Sequence, residues 1–330
     1  MHNHLAHLIQ QHYNIEITFE ATAGRGRDQE IITATQVIAS NYLHNLREVQ
    51  VGDRVIIISN LNDEWHLMEY VRIYGIITLG AVFVVLMILF GRIKGFNAVL
   101  GLGLTCLAIF AVFIPSILSG RNIYASAIIV CIYSIVVTLF VVVGVNQKSV
   151  AAVAGCLGGM FSAAILTISM TRILGLTGII DNESTFLLHM RYDDPISLTA
   201  IIFAGIIIGA VGALMDVSMS ISSALWELKA QTSELTFAEY FKSGINIGKD
   251  VMGTMANTLV LAYIGSSLTV ILLLVTFSGS FAELINREMI IVELLKAIIG
   301  SIGIMLTMPL TALICAGLYS RDKEYLNDFY

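Results

Sequence analysis

Two stretches of this chain place an acid where acids are rare. Asp216-Val217-Ser218-Met219-Ser220-Ile221-Ser222-Ser223-Ala224-Leu225 and Asp250-Val251-Met252-Gly253-Thr254-Met255-Ala256-Asn257-Thr258-Leu259 share the pattern Asp-Val-x-x-[Ser/Thr]-[Ile/Met]-x-x-x-Leu, 34 residues apart. On a helix, Asp216, Ser220 and Ser223 fall at i, i+4 and i+7, which is one face. Asp250, Thr254 and Asn257 repeat that geometry. A carboxylate beside neutral hydroxyl and amide oxygens suits a proton, a hard cation or a polar solute. Each copy adjoins a long apolar run, so each carboxylate is expected near or within a bilayer. A charge there costs a few kcal/mol or more, and such residues tend to mark ion or substrate paths. The competing reading is that both acids cap helices at the membrane surface. It suits Asp250 best, if a span starts there, because a carboxylate is favoured at a helix N-terminus.

The elements that carry these residues are apolar. The 330 residues are 57% hydrophobic and 13% charged, with mean hydropathy +0.83. Soluble domains carry roughly 25% charged residues, so most of this chain is expected in lipid. A net charge of −6 argues against nucleic acid, which requires a basic face. Cys106, Cys131, Cys156 and Cys315 sit singly in apolar runs, without metal-ligand spacing, and read as buried thiols. His2, His4, His7 and His12 crowd the first residues, which read neither as a signal peptide nor as a metal site. No metal and no cofactor are expected beyond coupling to protons or monovalent cations.

Residues 1–70 read as a small β-rich domain. Ile15, Ile17, Phe19 and Ala21 alternate with Glu16, Thr18, Glu20 and Thr22, the period of a half-buried strand. Residues 31–39 make a second strand candidate, and Val49-Gln50-Val51-Gly52-Asp53-Arg54-Val55-Ile56-Ile57-Ile58 places a Gly52-Asp53 turn between strands. From residue 71 the pattern becomes helical. Apolar spans are expected at 71–91, 96–114, 123–143, 149–171, 196–215, 252–276 and 297–318, each near the roughly 20 residues a crossing needs. The fold class is therefore an all-α polytopic membrane bundle of about seven transmembrane helices, with the β-rich domain ahead of it and a cytoplasmic tail at 319–330. Residues 196–226 exceed one crossing, so that helix either projects from the membrane or breaks near Gly212. Gly155 and Gly159, and again Gly205 and Gly209, have the GxxxG spacing that lets helices approach closely.

Lysines set the orientation. With residues 1–70 outside, all lysines of the membrane part except Lys296 fall in inside loops, which places the C-terminus in the cytoplasm. The outside loop 172–195 holds Arg191, Asp193 and Asp194 next to Pro195. Asp193-Asp194-Pro195 reads first as a helix start and second as a carboxylate pair for a cation at the outer mouth. The inside loop 227–249 contains the capping box Thr236-Phe237-Ala238-Glu239, read as the start of a short amphipathic surface helix.

The words Gly209 to Ala224 and Ser243 to Tyr263, with Lys94-Gly95 entering and Ile114-Pro115 leaving the second span, resemble the YibE/F family of bacterial multi-pass membrane proteins over roughly residues 70–318. The resemblance implies a cell-membrane location, an extracytoplasmic N-terminal domain and a further helix ahead of it. It implies no specific activity. From the paired acids, the function read from the residues is a secondary transporter or ion-coupled permease, and not an enzyme. Asp216 and Asp250 would bind the coupling ion, with Ser220, Ser223, Thr254 and Asn257 beside them. The alternative is a non-transporting assembly or sensor subunit that binds a partner through its N-terminal domain. The GxxxG faces suit a homo-oligomer or a paralogous membrane partner within the lipid bilayer.

Overall fold

The computed structural model describes residues 14–23, 30–39, 47–60, 63–189, 195–232, 235–277 and 279–327. The histidines of the first residues, and Arg191, Asp193 and Asp194, lie outside them. The chain forms two compact units, Met1–Val85 and Leu86–Tyr330.

In the first unit the alternating residues form strands as expected: β1 (Asn14–Ala23), β2 (Glu30–Ala39), β3 (Val55–Ser59) and β4 (Trp65–Tyr70), in the sheet order β1-β2-β4-β3. β1 pairs antiparallel with β2 over ten residues, β3 pairs antiparallel with β4, and β2 with β4 is the parallel step. Ala34, Gln36 and Ile38 are the buried side of β2. The buried Gln36 amide is satisfied by the segment before β3. It donates to the Arg47 carbonyl at 2.9 Å and accepts from the Val49 amide at 3.0 Å. The Gly52-Asp53 turn forms and β3 follows it, but residues 47–50 ahead of it are not a strand, contrary to the expected turn between two strands. Gly52 takes φ 97°, open to a residue without a Cβ, and the Asp53 carboxylate accepts from the Gln50 amide at 2.9 Å.

Helices follow: α1 (Ile73–Leu107), a π turn at Ala108–Phe113, α2 (Ile114–Leu118), α3 (Ile123–Val143), α4 (Gln147–Ile173), α5 (Asn182–His189), α6 (Leu198–Gln231), α7 (Phe237–Ser266), α8 (Leu268–Phe277), α9 (Phe281–Ile285) and α10 (Glu288–Asn327). Among the described residues, five helical runs are long and apolar enough to cross a membrane, or six if the pair α7–α8, bent by 61°, is one span. The sequence pattern predicts about seven. The difference lies at the start, where the spans expected at 71–91 and 96–114 join into one run, Ile73–Leu118. Inside that run Arg92 adopts φ 49°, ψ −128°, outside the helical region. The chain turns sharply there. A Cβ on Gly95 would collide with the Met87 carbonyl oxygen, which a straight helix would hold two turns away.

Of the two alternatives for residues 196–226, the break near Gly212 is not found: helical hydrogen bonding runs unbroken for 34 residues from the Ser197 cap. One further expectation is corrected: the Thr236 capping box does not open a separate surface helix. Thr236 and Glu239 do form the box, but the helix they open runs on through Asp250 to Ser266 as α7. Nothing between them stops it, since Gly244 and Gly248 are tolerated in a helix that buries them.

The bundle core is built by α4, α6, α7 and α10. Gly155 and Gly159 of α4 do admit a close neighbour: an added Cβ would run into Thr311 and Thr307 of α10. Gly303 of α10 in turn lies against Leu214 of α6, an added Cβ being 3.3 Å from Leu214 Cδ2. Ile206, Ile207, Leu214, Ile221 and Leu225 line the buried face of α6.

Candidate functional site

α6 and α7 run antiparallel, and three glycine contacts set their register. A Cβ on Gly244 would lie 3.0 Å from Leu225 Cδ1, one on Gly248 would lie 3.2 Å from Ile221 Cδ1, and one on Gly209 would lie 2.5 Å from the Tyr263 hydroxyl. This register sets Asp216 level with Thr254 and Asp250 level with Ser220. The two carboxylates are thus about 6 Å apart along the helix axes, four residues at ~1.5 Å each. Each acid of one word stands at the height of a hydroxyl of the other.

The faces are also defined. α7 buries Tyr240, Gly244 and Gly248. Asp250, Thr254 and Asn257 lie about 110° round the helix from that face and are exposed in the isolated chain. On α6, Asp216 continues a line of small residues, Gly205, Gly209 and Gly212, at helical spacing, and is exposed as they are. Gly209 meets the Tyr263 hydroxyl of α7, but at Gly205 and Gly212 an added Cβ would meet open space among the described residues. Ser220 and Ser223 are half-buried. Among the described residues, neither Asp216 nor Asp250 has a hydrogen-bond or ion-pair partner. Thr254 donates to the Val251 carbonyl at 2.9 Å. Asp250 is well inside α7, thirteen residues beyond its first, so it caps nothing.

The buried hydroxyls of the first word are not the ones its spacing singles out. Ser222, fully buried, donates to the Lys148 carbonyl at 2.6 Å and lies 3.3 Å from the Tyr319 hydroxyl. Lys229 at the same end stacks over Trp226 and Tyr319 at 5.2 and 5.1 Å. Lys148 and Lys229 are therefore gathered at one end of the bundle. At the other end Glu288, opening α10, accepts from the Thr177 amide at 2.7 Å, the Gly178 amide at 2.5 Å and the Thr177 hydroxyl at 2.8 Å.

Tyr263 was not legible as part of this region, because its spacing puts it off the Asp250 face. Its ring crosses to α6, and its hydroxyl is buried against Gly209 without a hydrogen-bond partner. It also borders a mainly apolar cavity of about 390 Å³ with Phe281, Ile290, Glu293 and Leu294. Glu293 is paired with Lys296 at 2.5 Å. The α7–α8 bend follows directly, at the buried Ser267. A lone aromatic at this spacing could have been flagged only by the small residue facing it on α6.

The four cysteines are free; Cys106 is exposed, unlike the reading of all four as buried, while Cys131, Cys156 and Cys315 are buried. Among the described residues, no group of three or more His, Cys, Asp or Glu side chains is placed to hold a metal ion. The family model described as YibE/F-like protein matches residues 79–321. No curated protein and no solved structure matches the chain.

Proposed function

The chain belongs to the YibE/F-like family, and from that premise we propose that it is a secondary transporter or ion-coupled permease of the bacterial cell membrane. The supporting observation is the pair Asp216 and Asp250. Both sit inside continuous helices, about one turn apart in height, are exposed in the isolated chain, and have no hydrogen-bond or ion-pair partner among the described residues. A carboxylate cannot rest against lipid at that depth without a cost of a few kcal/mol. The two faces therefore meet water or a second polypeptide. In this reading the acids carry a proton or monovalent cation, and Ser220, Ser223, Thr254 and Asn257 supply neutral oxygens. No cofactor and no catalysis are involved. The broken α7–α8 helix fits a path of this kind, since interrupted helices recur where transporters bind their cargo.

The topology we propose has seven crossings. Forty-six residues of helix would reach about 70 Å, more than twice the ~30 Å hydrocarbon thickness, so the Ile73–Leu118 run is read as two crossings folded at Arg92. The N-terminal domain is then outside and the C-terminus in the cytoplasm, on the side of Lys148 and Lys229.

The deciding experiment is flux in proteoliposomes. Asp216→Asn and Asp250→Asn are each expected to abolish cation- or pH-dependent flux while the protein elutes as a folded species. Unchanged flux in both sinks the reading.

A second reading, a non-transporting assembly subunit, is favoured by the open space at Gly205 and Gly212 and by the exposed polar residues of α7. It expects both Asn variants to be silent and deletion of residues 1–68 to abolish function.

A further inference from the structure

A second site lies where α3 begins, α4 ends and α6 begins. A cavity of about 470 Å³ opens there between Tyr124 of α3, Ile168, Thr171 and Arg172 of α4, and Thr199 and Phe203 of α6. Its size is that of a small-molecule pocket. We propose that this cavity binds an oxyanion carried on an apolar body, with the anionic head on Arg172, Thr171 and Thr199.

The first observation is Thr171. It is 9% exposed, and its hydroxyl has no hydrogen-bond partner. A threonine inside a helix ordinarily returns its proton to the carbonyl four residues back. Thr167, one turn earlier, does so at 2.8 Å to Ala163, and Thr307 does so at 2.8 Å to Gly303. Thr171 does not, and a buried hydroxyl left unmade costs about 1–3 kcal/mol. A ligand acceptor in the cavity would remove that cost.

The second observation is charge. Arg172 lines the cavity, and its guanidinium makes no ion pair or hydrogen bond among the described residues. Among the described residues, no carboxylate lines the cavity. Tyr124 and Thr199 stand in the first turns of α3 and α6, so two helix N-termini point their positive ends at the cavity while α4 brings one negative end. The Tyr124 and Thr199 hydroxyls are 3.5 Å apart, a long contact, and Thr199 also meets the Ser197 hydroxyl at 3.2 Å; each hydroxyl has one donor and two acceptor positions, so capacity for a ligand remains. Gly175 at φ 61° ends α4 with a left-handed residue, and the Leu176 amide returns to the Thr171 carbonyl at 3.1 Å. That closure holds Thr171 and Arg172 on the cavity wall. Ile168, Leu176 and Phe203 provide the apolar remainder.

The head group is a carboxylate on a small free molecule or the phosphate of an anionic lipid. Both offer the same oxyanion, and the experiment separates them. The full chain is placed in phosphatidylcholine nanodiscs and titrated with benzoate by calorimetry. In parallel, retention of phosphatidylglycerol is read by native mass spectrometry. The variants are Arg172→Gln, Thr171→Val and, as the conservative control, Arg172→Lys. If the occupant is a free anion, benzoate binds the parent protein and weakens tenfold or more in Arg172→Gln and several-fold in Thr171→Val, with Arg172→Lys in between. If it is a lipid, benzoate is not bound, and phosphatidylglycerol is retained by the parent and lost in Arg172→Gln. Absence of both ligands, or equal binding by parent and Arg172→Gln, overturns the proposal. Thr171→Val folds at least as well as the parent, because it replaces an unpaired hydroxyl by a methyl of the same shape, so its binding result stands apart from stability. The proposal does not rest on Asp216 or Asp250, and flux and benzoate titration fail independently.

Discussion

Gly248 of α7 lies against Ile221 of α6 closely enough that a Cβ would come to 3.2 Å from Ile221 Cδ1, and Met308 Sδ would stand at 2.5 Å from the same atom. This contact sets the height of Asp250 relative to Asp216. Gly248→Val is expected to lower stability by about 1–3 kcal/mol through overpacking, read as an earlier melting transition in detergent. Gly212→Ala has open space and is expected to be neutral or up to about 1 kcal/mol more stable through helix propensity. If the two variants melt alike, the α6–α7 packing is not as described.

Cysteine labelling reports what covers the polar faces. In a background with Cys106 replaced by alanine, the remaining native thiols are buried. Asp250→Cys and Asn257→Cys are then expected to react with a membrane-impermeant maleimide, whereas Leu259→Cys, packed against Gly300, reacts slowly or not at all. Equal rates at all three positions would argue against an aqueous face on α7.

Ser222 is the hydroxyl on which the inner end depends. Ser222→Ala removes the bond to the Lys148 carbonyl, which keeps only its partner within α4. The expected loss is about 0.5–1.5 kcal/mol, measured as a drop in melting temperature. Ser220→Ala, half-buried and without a comparable bond, is expected to change stability by less than about 0.5 kcal/mol.

Tyr263→Phe removes a buried hydroxyl that has no partner, so the variant is expected to be as stable as the parent or more so. If it melts markedly earlier, that hydroxyl is hydrogen-bonded. Flux measured on the same variant shows whether the group has a transport role.

Arg92 stands at φ 49°, ψ −128°, a conformation open to glycine and strained for arginine. Arg92→Gly is expected to stabilise the turn by about 1 kcal/mol, and Arg92→Val to destabilise it by at least as much, in chemical denaturation of the detergent-solubilised chain.

Much of the fold could be read from residue patterns, because apolar length and period are local properties. The span at 123–143 coincides with α3, the Thr236 box opens a helix where it should, and Gly155 with Gly159 admits Thr311 and Thr307. Continuity was harder. The excess length of residues 196–226 leaves open a projecting helix or a break near Gly212, and packing of Leu214, Val217 and Ile221 holds the helix continuous. Spacing does group Asp216 with Ser220 and Asp250 with Thr254, yet spacing alone says nothing about which face meets a neighbour. Ser222 and Tyr263 escaped for that reason: their partners, the Lys148 carbonyl and Gly209, are distant in sequence. The Thr171 cavity was equally hidden, since only the assembled ends of three helices enclose it.

The clasp at Glu288 has a mechanical side. One carboxylate accepts from two amides and a hydroxyl of Thr177 and Gly178, so the segment leaving α4 cannot shift without breaking three bonds or dragging the start of α10 along. α10 is the spine against which α4, α6 and α7 all rest. Anything that tugs on residues 172–178 therefore has a lever whose far arm lies behind Gly248 and the acid two residues beyond it.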